Sequence, residues 1–257
     1  MGLFFPDERE QYTGLRKSGF PRYREVLEGS WKDFLRVGFI TLLFYIPLAA
    51  GVAYAVLSRS LLVALLSGVF GGAVAGVGYG CLVDLIMRRL RDDKGDWWTV
   101  WKRALRQNWR DSLLPGALQN TYLAVIVFGG ALVLWGAAKV TPMTLVLIAL
   151  STLIVIALFT VWWPQIVIFT QSTVIRLKNS LLFIIKYFWK TMLSALLQLI
   201  WWALAFLLLP WTAFLVPVLG IWYILFLSLH IVYPDLDEAL KIEDEIAEKY
   251  PGRVNND

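Results

Sequence analysis

Cysteine and histidine are almost missing from this sequence, which contains only Cys81 and His230. A single cysteine excludes an intrachain disulfide and a cysteine metal cluster, and a single histidine argues against a zinc site. The sequence also lacks a Ser-His-Asp set and a pair of carboxylates at catalytic spacing. We therefore expect a protein that is not an enzyme and that uses neither a metal nor a cofactor.

Charged residues are also scarce, at 17% of the chain, whereas hydrophobic residues make up 58% and the mean hydropathy is +0.63. Several apolar runs exceed the ~18 residues that indicate a membrane span. Backbone polar groups in lipid must bond within their own segment, so each run is predicted to be a helix. The sequence thus predicts an all-α polytopic membrane protein whose six spans cover about residues 34–57, 61–87, 113–138, 141–169, 192–209 and 211–231.

The basic residues predict the orientation of these spans. Of the 24 Lys and Arg residues, all but Arg59 and Lys139 lie in the amino-terminal segment through Arg36, between spans two and three, between spans four and five, or after span six. The basic side of a membrane protein is cytoplasmic, so we expect a cell-membrane protein with both termini inside. The net charge of +5 then reflects topology and contact with anionic lipid, and nucleic acid is not an expected partner.

The chain divides into a cytoplasmic amphipathic segment at 1–33, a six-helix membrane domain at 34–231 and an acidic cytoplasmic tail at 232–257. Very short turns after spans one, three and five make three helical hairpins. The hairpins begin with similar sequences, "WKDFL" at Trp31, "WRDSL" at Trp109 and "WKTML" at Trp189. The predicted unit is a short amphipathic helix in the membrane interface followed by a hairpin. Chance similarity is the alternative, since Trp and Lys are common wherever a helix enters a membrane.

Span two contains the glycine-rich stretch "GVFGGAVAGVGYG". A phosphate-binding loop would need a preceding strand and a Lys-Ser/Thr at its end, and neither is present. On a helix, residues four apart share one face. We expect this face to allow close helix packing, or alternatively to line a pore or groove. The stripe consists of Gly68, Gly72, Gly76 and Gly80.

Polar residues within the spans collect in the inner third of the membrane. Asp84 has Arg88 one helical turn later, which favours a local ion pair over a proton relay. The others could bond across helices or line a cytoplasm-facing polar cavity. The candidate cavity residues are Asp84, Gln119, Asn120, Gln165, Gln198 and His230.

The loop "RRLRDDKGDWWTVWKRALRQNWRD" combines aromatic and basic residues. It is predicted to turn at "DDKGD" and then form a short helix. That helix could rest on anionic lipid or dock against a membrane protein or an acidic partner. The candidate docking residues are Arg91, Trp98, Trp101, Lys102, Arg106, Trp109 and Arg110. The acidic tail "PDLDEALKIEDEIAEKYPG" could fold back on this loop or serve as an adaptor.

Three segments carry a family resemblance: "KSGFPRYREVLEGSWKDFLRVGFITLLFYIP", "GGAVAGVGYGCLVDLIMRRLRDDKGDWWTVWKRALRQNWRDSLLPG" and, more weakly, "IRLKNSLLFIIKYFWKTML". They resemble the YesL-like family of bacterial membrane proteins, the domain of unknown function 624. The matching positions in the second segment are Gly72, Ala75, Tyr79, Arg91, Asp92, Trp98, Asn108, Trp109 and Arg110. The resemblance implies an accessory protein of a carbohydrate ABC importer in Gram-positive bacteria, with the transporter permease as partner.

The leading functional hypothesis is therefore a non-enzymatic membrane protein that assists a partner complex through helix packing and cytoplasmic docking. The alternative is a small transporter or channel whose polar cavity lies near Gln119, Asn120, Gln165 and Gln198. A membrane enzyme is the least favoured class, because the chain lacks the usual catalytic groups.

Overall fold

A computed structural model describes residues 19–91, 95–137, 139–208 and 211–242. Within these ranges the regular structure is helical and includes no strand. Six of the described helices are long and apolar enough to cross a membrane, which confirms the predicted all-α, multi-pass class. The membrane-crossing candidates are α1 (Gly19–Ser58), α2 (Leu61–Leu90), α3 (Trp97–Leu134), α4 (Pro142–Ile168), α6 (Phe188–Leu207) and α7 (Val216–Leu240). The shorter α5 (Thr173–Lys186) lies between α4 and α6.

Side-chain caps fix where several helices begin. The Ser60 hydroxyl accepts a bond from the Val63 amide at 3.4 Å, Asp96 accepts from the Thr99 amide at 3.0 Å, and Thr141 begins α4 in the same way. Each cap satisfies an amide that has no partner inside its helix. Two helices contain one π-helical segment each, Ser67–Gly71 in α2 and Val216–Gly220 in α7. A short 3₁₀ turn, Trp211–Ala213, precedes α7.

The first and third helices are longer than a membrane requires. With 40 and 38 residues, α1 and α3 extend ~60 Å and ~57 Å, against a hydrocarbon core of ~30 Å. The prediction of separate interfacial helices before spans one and three is wrong, because one unbroken helix includes both parts. Among the described residues, a separate short helix occurs only before span five, where the chain breaks at Tyr187 (φ −112°, ψ 42°).

That separate helix, α5, exposes much of its apolar surface. It buries Arg176 and Ser180 beside Phe183, whereas Ile175, Leu182 and Ile185 are exposed. At 14 residues it is ~21 Å long, too short to cross the hydrocarbon core. An outward apolar face on such a helix suits the membrane interface.

The second half of α2 is the centre of the bundle. Nearly every residue from Gly76 to the end of the helix is buried. The main apolar cluster surrounds Leu82, Leu85 and Ile86 and includes residues of α1, α3, α4 and α7. Tyr79 packs edge-on against Trp163 of α4, with ring centroids 5.0 Å apart. This segment is buried on all sides and forms the core of the bundle, although it also carries the buried Asp84, Arg88 and Arg89.

The glycine stripe of α2 lies against α3. A Cβ at Gly76 would lie 2.5 Å from the Gly116 Cα, and one at Gly72 would lie 2.6 Å from the Asn120 Cβ. A Cβ at Gly80 would lie 2.6 Å from the Ser112 hydroxyl, and one at Gly68 would collide with the backbone of Thr121. The two antiparallel helices therefore pack at a separation that side chains on this face would prevent.

Candidate functional site

Charged side chains close each hairpin at one end of the bundle, which we call the basic end. This end contains the start of α1, α3 and α6 and the chain just after α2, α4 and α7. Each closing ion pair joins a residue one or two positions after a hairpin tryptophan to a residue near the end of the second helix, or to one in α5 for the second hairpin. The pairs are Asp33–Arg89 at 2.9 Å, Asp111–Arg176 at 2.6 Å and Lys190–Asp235 at 2.6 Å.

The third pair reverses the charges of the first two. In the first two hairpins the carboxylate lies at the beginning, whereas in the third Lys190 takes that place and Asp235 lies on α7. The same kind of ion pair therefore occurs in all three hairpins, with the acidic and basic partners exchanged in the third. This recurrence supports a repeated structural unit. The three pairs lie at the same end of the bundle, so both ends of every hairpin meet there.

Arginines at the basic end also bond the carbonyls at helix ends. Arg22 donates to the Leu90 carbonyl at 2.9 Å, and Arg176 donates to the Phe169 carbonyl at 3.0 Å. The last carbonyls of a helix have no partner inside it, and cations are favourable there because of the helix dipole. These arginines therefore tie the ends of α2 and α4 to neighbouring helices.

Asp84 and Arg88 form an ion pair inside the bundle. The Arg88 Nε donates to the Asp84 Oδ2 at 3.0 Å, and both side chains are fully buried. A buried charge needs such a partner because desolvation alone costs several kcal/mol per ion.

The amide side chains proposed for a polar cavity are distributed over different helix pairs. Gln119 of α3 accepts a bond from the Trp163 indole of α4 at 2.6 Å. Asn120 of α3 donates to the Gly72 carbonyl of α2 at 3.3 Å and to the carbonyl of Gly116 in its own helix at 2.9 Å. These bonds join α3 to two different neighbours.

The remaining two amides also bond between helices. Gln165 of α4 donates to the Ser180 hydroxyl of α5 at 2.8 Å, and Gln198 of α6 donates to the Thr160 hydroxyl of α4 at 2.7 Å. The four amides thus serve four different helix pairs, and the structure does not bring them together in one chamber.

Of the residues in that set, His230 lines a large cavity. The cavity has a volume of about 730 Å³ and lies at the basic end, between the first turn of α1 and α7. Tyr23 and Tyr223 form part of its wall, with their hydroxyls 3.1 Å apart. The Tyr23 ring meets His230 edge-on at 5.5 Å.

The first turns of α3 expose a row of aromatic and basic side chains. The indole of Trp98 is stacked on Trp101, with centroids 5.1 Å apart and planes inclined by 2°. The Lys102 ammonium lies 4.7 Å from the Trp98 ring, and the Arg110 guanidinium lies 5.2 Å from the Trp109 ring. We call this surface the basic face; its exposed members are Trp98, Lys102, Arg106, Trp109 and Arg110.

Two residues grouped with this surface from the sequence lie elsewhere. Arg91 is buried and donates to the Met87 carbonyl at 3.1 Å. Trp101 is partly buried against the main apolar cluster. Within the described ranges, no carboxylate lies within ion-pair distance of the three cations of the basic face. This distinguishes them from the arginines that close the hairpins.

The residues of the basic face belong to the same helix as the third span. Val100, on the opposite side of the same turns, belongs to the apolar cluster that contains Ile86 and Leu90 of α2. The first turns of α3 therefore pack along the end of α2 in the same antiparallel pair that forms the glycine contact further down. They do not turn away to lie flat on a membrane surface.

Comparison of the chain with protein-family models, curated proteins and solved structures gives no match.

The residues that sequence reasoning missed are the hairpin-closing pairs and Gly116. One signal for the pairs was visible: the first two hairpin sequences, "WKDFL" and "WRDSL", both place an aspartate two residues after tryptophan. Their partners lie 56 and 65 positions away along the chain, which local periodicity does not reveal.

Proposed function

We propose that this chain is a non-enzymatic, multi-pass protein of the cell membrane that assists a partner complex. The basic end carries most of the lysines and arginines, which supports a cytoplasmic location for it and for both termini. The family resemblance makes the permease of a carbohydrate ABC transporter the first partner to test.

One observation carries the proposal. The basic face presents Lys102, Arg106 and Arg110 to solvent without a carboxylate partner among the described residues. Elsewhere at the same end, buried arginines have partners on neighbouring helices. An exposed cluster of cations and tryptophans on a rigid helix is typical of a surface that binds an acidic partner.

Purification in mild detergent tests the proposal. The tagged chain is expected to bring down a membrane permease, and Lys102→Glu with Arg106→Glu should greatly reduce its recovery. The matched control is Lys178→Glu with Lys241→Glu, because both lysines are exposed and the change in net charge is equal. A homo-oligomer with nothing else bound would contradict the proposal.

A small transporter or channel is the weaker alternative. The 730 Å³ cavity beside His230 is the feature that favours it. The four amides expected to line its pathway instead bond separate helix pairs, which favours the accessory role. Sugar or ion flux through liposomes that contain only the purified chain would support the alternative.

A further inference from the structure

We infer that the cavity between α1 and α7 binds a single-chain amphiphile, a molecule with one hydrocarbon chain and an uncharged, hydrogen-bonding head group. The cavity has no residue in common with the basic face. Its ligand therefore goes beyond the partner contact proposed above and does not depend on it.

The size and the walls of the cavity suit a small, mainly apolar ligand. Its volume of about 730 Å³ lies within the ~300–1,000 Å³ of typical ligand sites, which are mostly apolar with a few polar groups. Most of the described residues in the wall are apolar or aromatic, among them Phe20, Leu90, Leu227 and Ile231. A sugar would bury hydroxyls against these side chains without partners, which is unfavourable. The walls thus favour a hydrocarbon chain over a carbohydrate.

The wall on α7 is long. It includes Tyr223, Leu227, Ile231 and Pro234, which lie three or four residues apart and therefore share one face of the helix. From Tyr223 to Pro234 this strip rises ~16 Å. A carbon chain extends by ~1.2 Å per bond, as the polypeptide backbone does, so about twelve carbons would follow the strip from end to end. An extended chain matches the cavity better than a compact molecule does.

Two tyrosine hydroxyls and His230 provide hydrogen-bonding groups for the head of the ligand. The Tyr23 hydroxyl donates to the Tyr223 hydroxyl at 3.1 Å, and the Tyr223 proton and the acceptor sites of the two oxygens can serve a ligand. The charged residues in the described wall are Arg22 and Asp237. Their opposite charges offset each other, so a head group with a net charge gains little there. A hydroxyl or ester head group fits these partners.

Equilibrium binding of radiolabelled 1-monolauroylglycerol to the full chain tests this inference. The chain is embedded in phosphatidylcholine nanodiscs, because detergents such as dodecyl maltoside are themselves single-chain amphiphiles, and empty nanodiscs give the background. We expect saturable binding with a Kd on the order of 10–100 μM, which is typical of a ligand of this size. Unlabelled 1-dodecanol should displace the probe, and excess glucose should not.

Two substitutions in the wall should weaken this binding. Leu227→Trp fills the middle of the strip and should weaken binding at least about tenfold. Tyr223→Phe removes one hydroxyl and should weaken binding roughly two- to tenfold.

Matched controls make the same changes outside the cavity. Leu147 is 53% exposed on α4, and the hydroxyl of Tyr122 bonds two side chains of α4. Leu147→Trp and Tyr122→Phe should therefore bind the probe as the unmodified chain does. Thermal unfolding of all four variants verifies that each is folded.

Several results would overturn the inference. They are the absence of saturable binding above empty nanodiscs, equal affinity of Leu227→Trp and Leu147→Trp for the probe, and displacement by glucose but not by 1-dodecanol. Binding seen only after removal of residues 1–18 would identify the chain's own amino-terminal segment as the occupant and would also overturn it. The proposed function is tested separately, because copurification of a permease does not involve this probe.

Discussion

Gly76 of α2 and Gly116 of α3 face each other across the contact between the two helices, and a Cβ on either would lie 2.5 Å from the Cα of the other. No side chain larger than hydrogen fits on either partner without a backbone shift. This contact fixes the separation of α2 and α3, and with it the position of the basic face relative to the centre of the bundle.

Gly76→Ala should therefore destabilise the bundle by about 1–3 kcal/mol, the usual cost of overpacking. Gly76→Leu should destabilise the bundle more than Gly76→Ala does, because its side chain is larger. Gly130→Ala is the control, because nothing lies within 4 Å of a Cβ built there; it should be neutral or slightly stabilising, since Ala favours helix. SDS or thermal unfolding of the purified protein measures the difference. Equal stability of Gly76→Ala and Gly130→Ala would contradict the close contact.

Asp33→Asn should destabilise the protein by about 1–3 kcal/mol, between the values for an exposed and a buried ion pair, because the Asp33 side chain is 21% exposed. Arg89 keeps its bond to the Gly95 carbonyl, which limits the loss. Glu28→Gln, which breaks the exposed pair with Arg24, should change stability little. Thermal unfolding in detergent distinguishes the two variants, and similar midpoints would show that the first hairpin is not closed by Asp33.

The third hairpin allows a charge-swap test. Lys190→Asp removes the cation that faces Asp235 and adds a like charge near it, so it should lower the unfolding temperature. Asp235→Lys should do the same with two cations. The double variant restores opposite charges and should recover most of the loss. Thermal midpoints of all four proteins measure this coupling. Additive losses in the double variant would show that the pair contributes no specific interaction.

Gln198→Leu removes the hydrogen bond to Thr160. It should lower the free energy of unfolding by about 0.6–2 kcal/mol, the value of one hydrogen bond between membrane helices. Thr160→Val removes the other partner and should cost a similar amount. The double variant should lose little more than either single variant, because both remove the same bond. Unfolding in detergent measures the cycle. A marked change in solute flux with unchanged stability would instead indicate a transport pathway.

Labelling of single cysteines tests the orientation. Cys81 is buried, at 1% exposed, so the unmodified chain should react poorly with a membrane-impermeant maleimide. Arg59→Cys should be labelled in whole cells, and Lys102→Cys only after permeabilisation, because the basic end is expected in the cytoplasm. Labelling of both positions in intact cells would refute the proposed topology.

The helical class and the six candidate spans could be predicted because hydropathy over ~20 residues is a local property that lipid makes decisive. Helix length was harder to predict. The polar first turns of α3 read as a separate surface helix, but Val100 and its neighbours pack on the end of α2, so the helix continues from Trp97 to Leu134.

The sequence also predicts only part of the candidate site. The cations and tryptophans of the basic face repeat at helical spacing, so the sequence identifies them without knowledge of the fold. It does not show that Arg91 is buried while Lys102 is exposed, because that depends on which side of each helix meets its neighbours.

The amino-acid sequence alone determined that lipid is the solvent for most of this chain and that one end of the bundle is basic. Only the tertiary structure decided that the glycines of α2 face α3, that Asp33 meets Arg89, and that the amides join different helix pairs. The physical reason is range: hydropathy and charge patterns are properties of neighbouring residues, whereas these contacts join residues 15 to 56 positions apart, and only packing selects them.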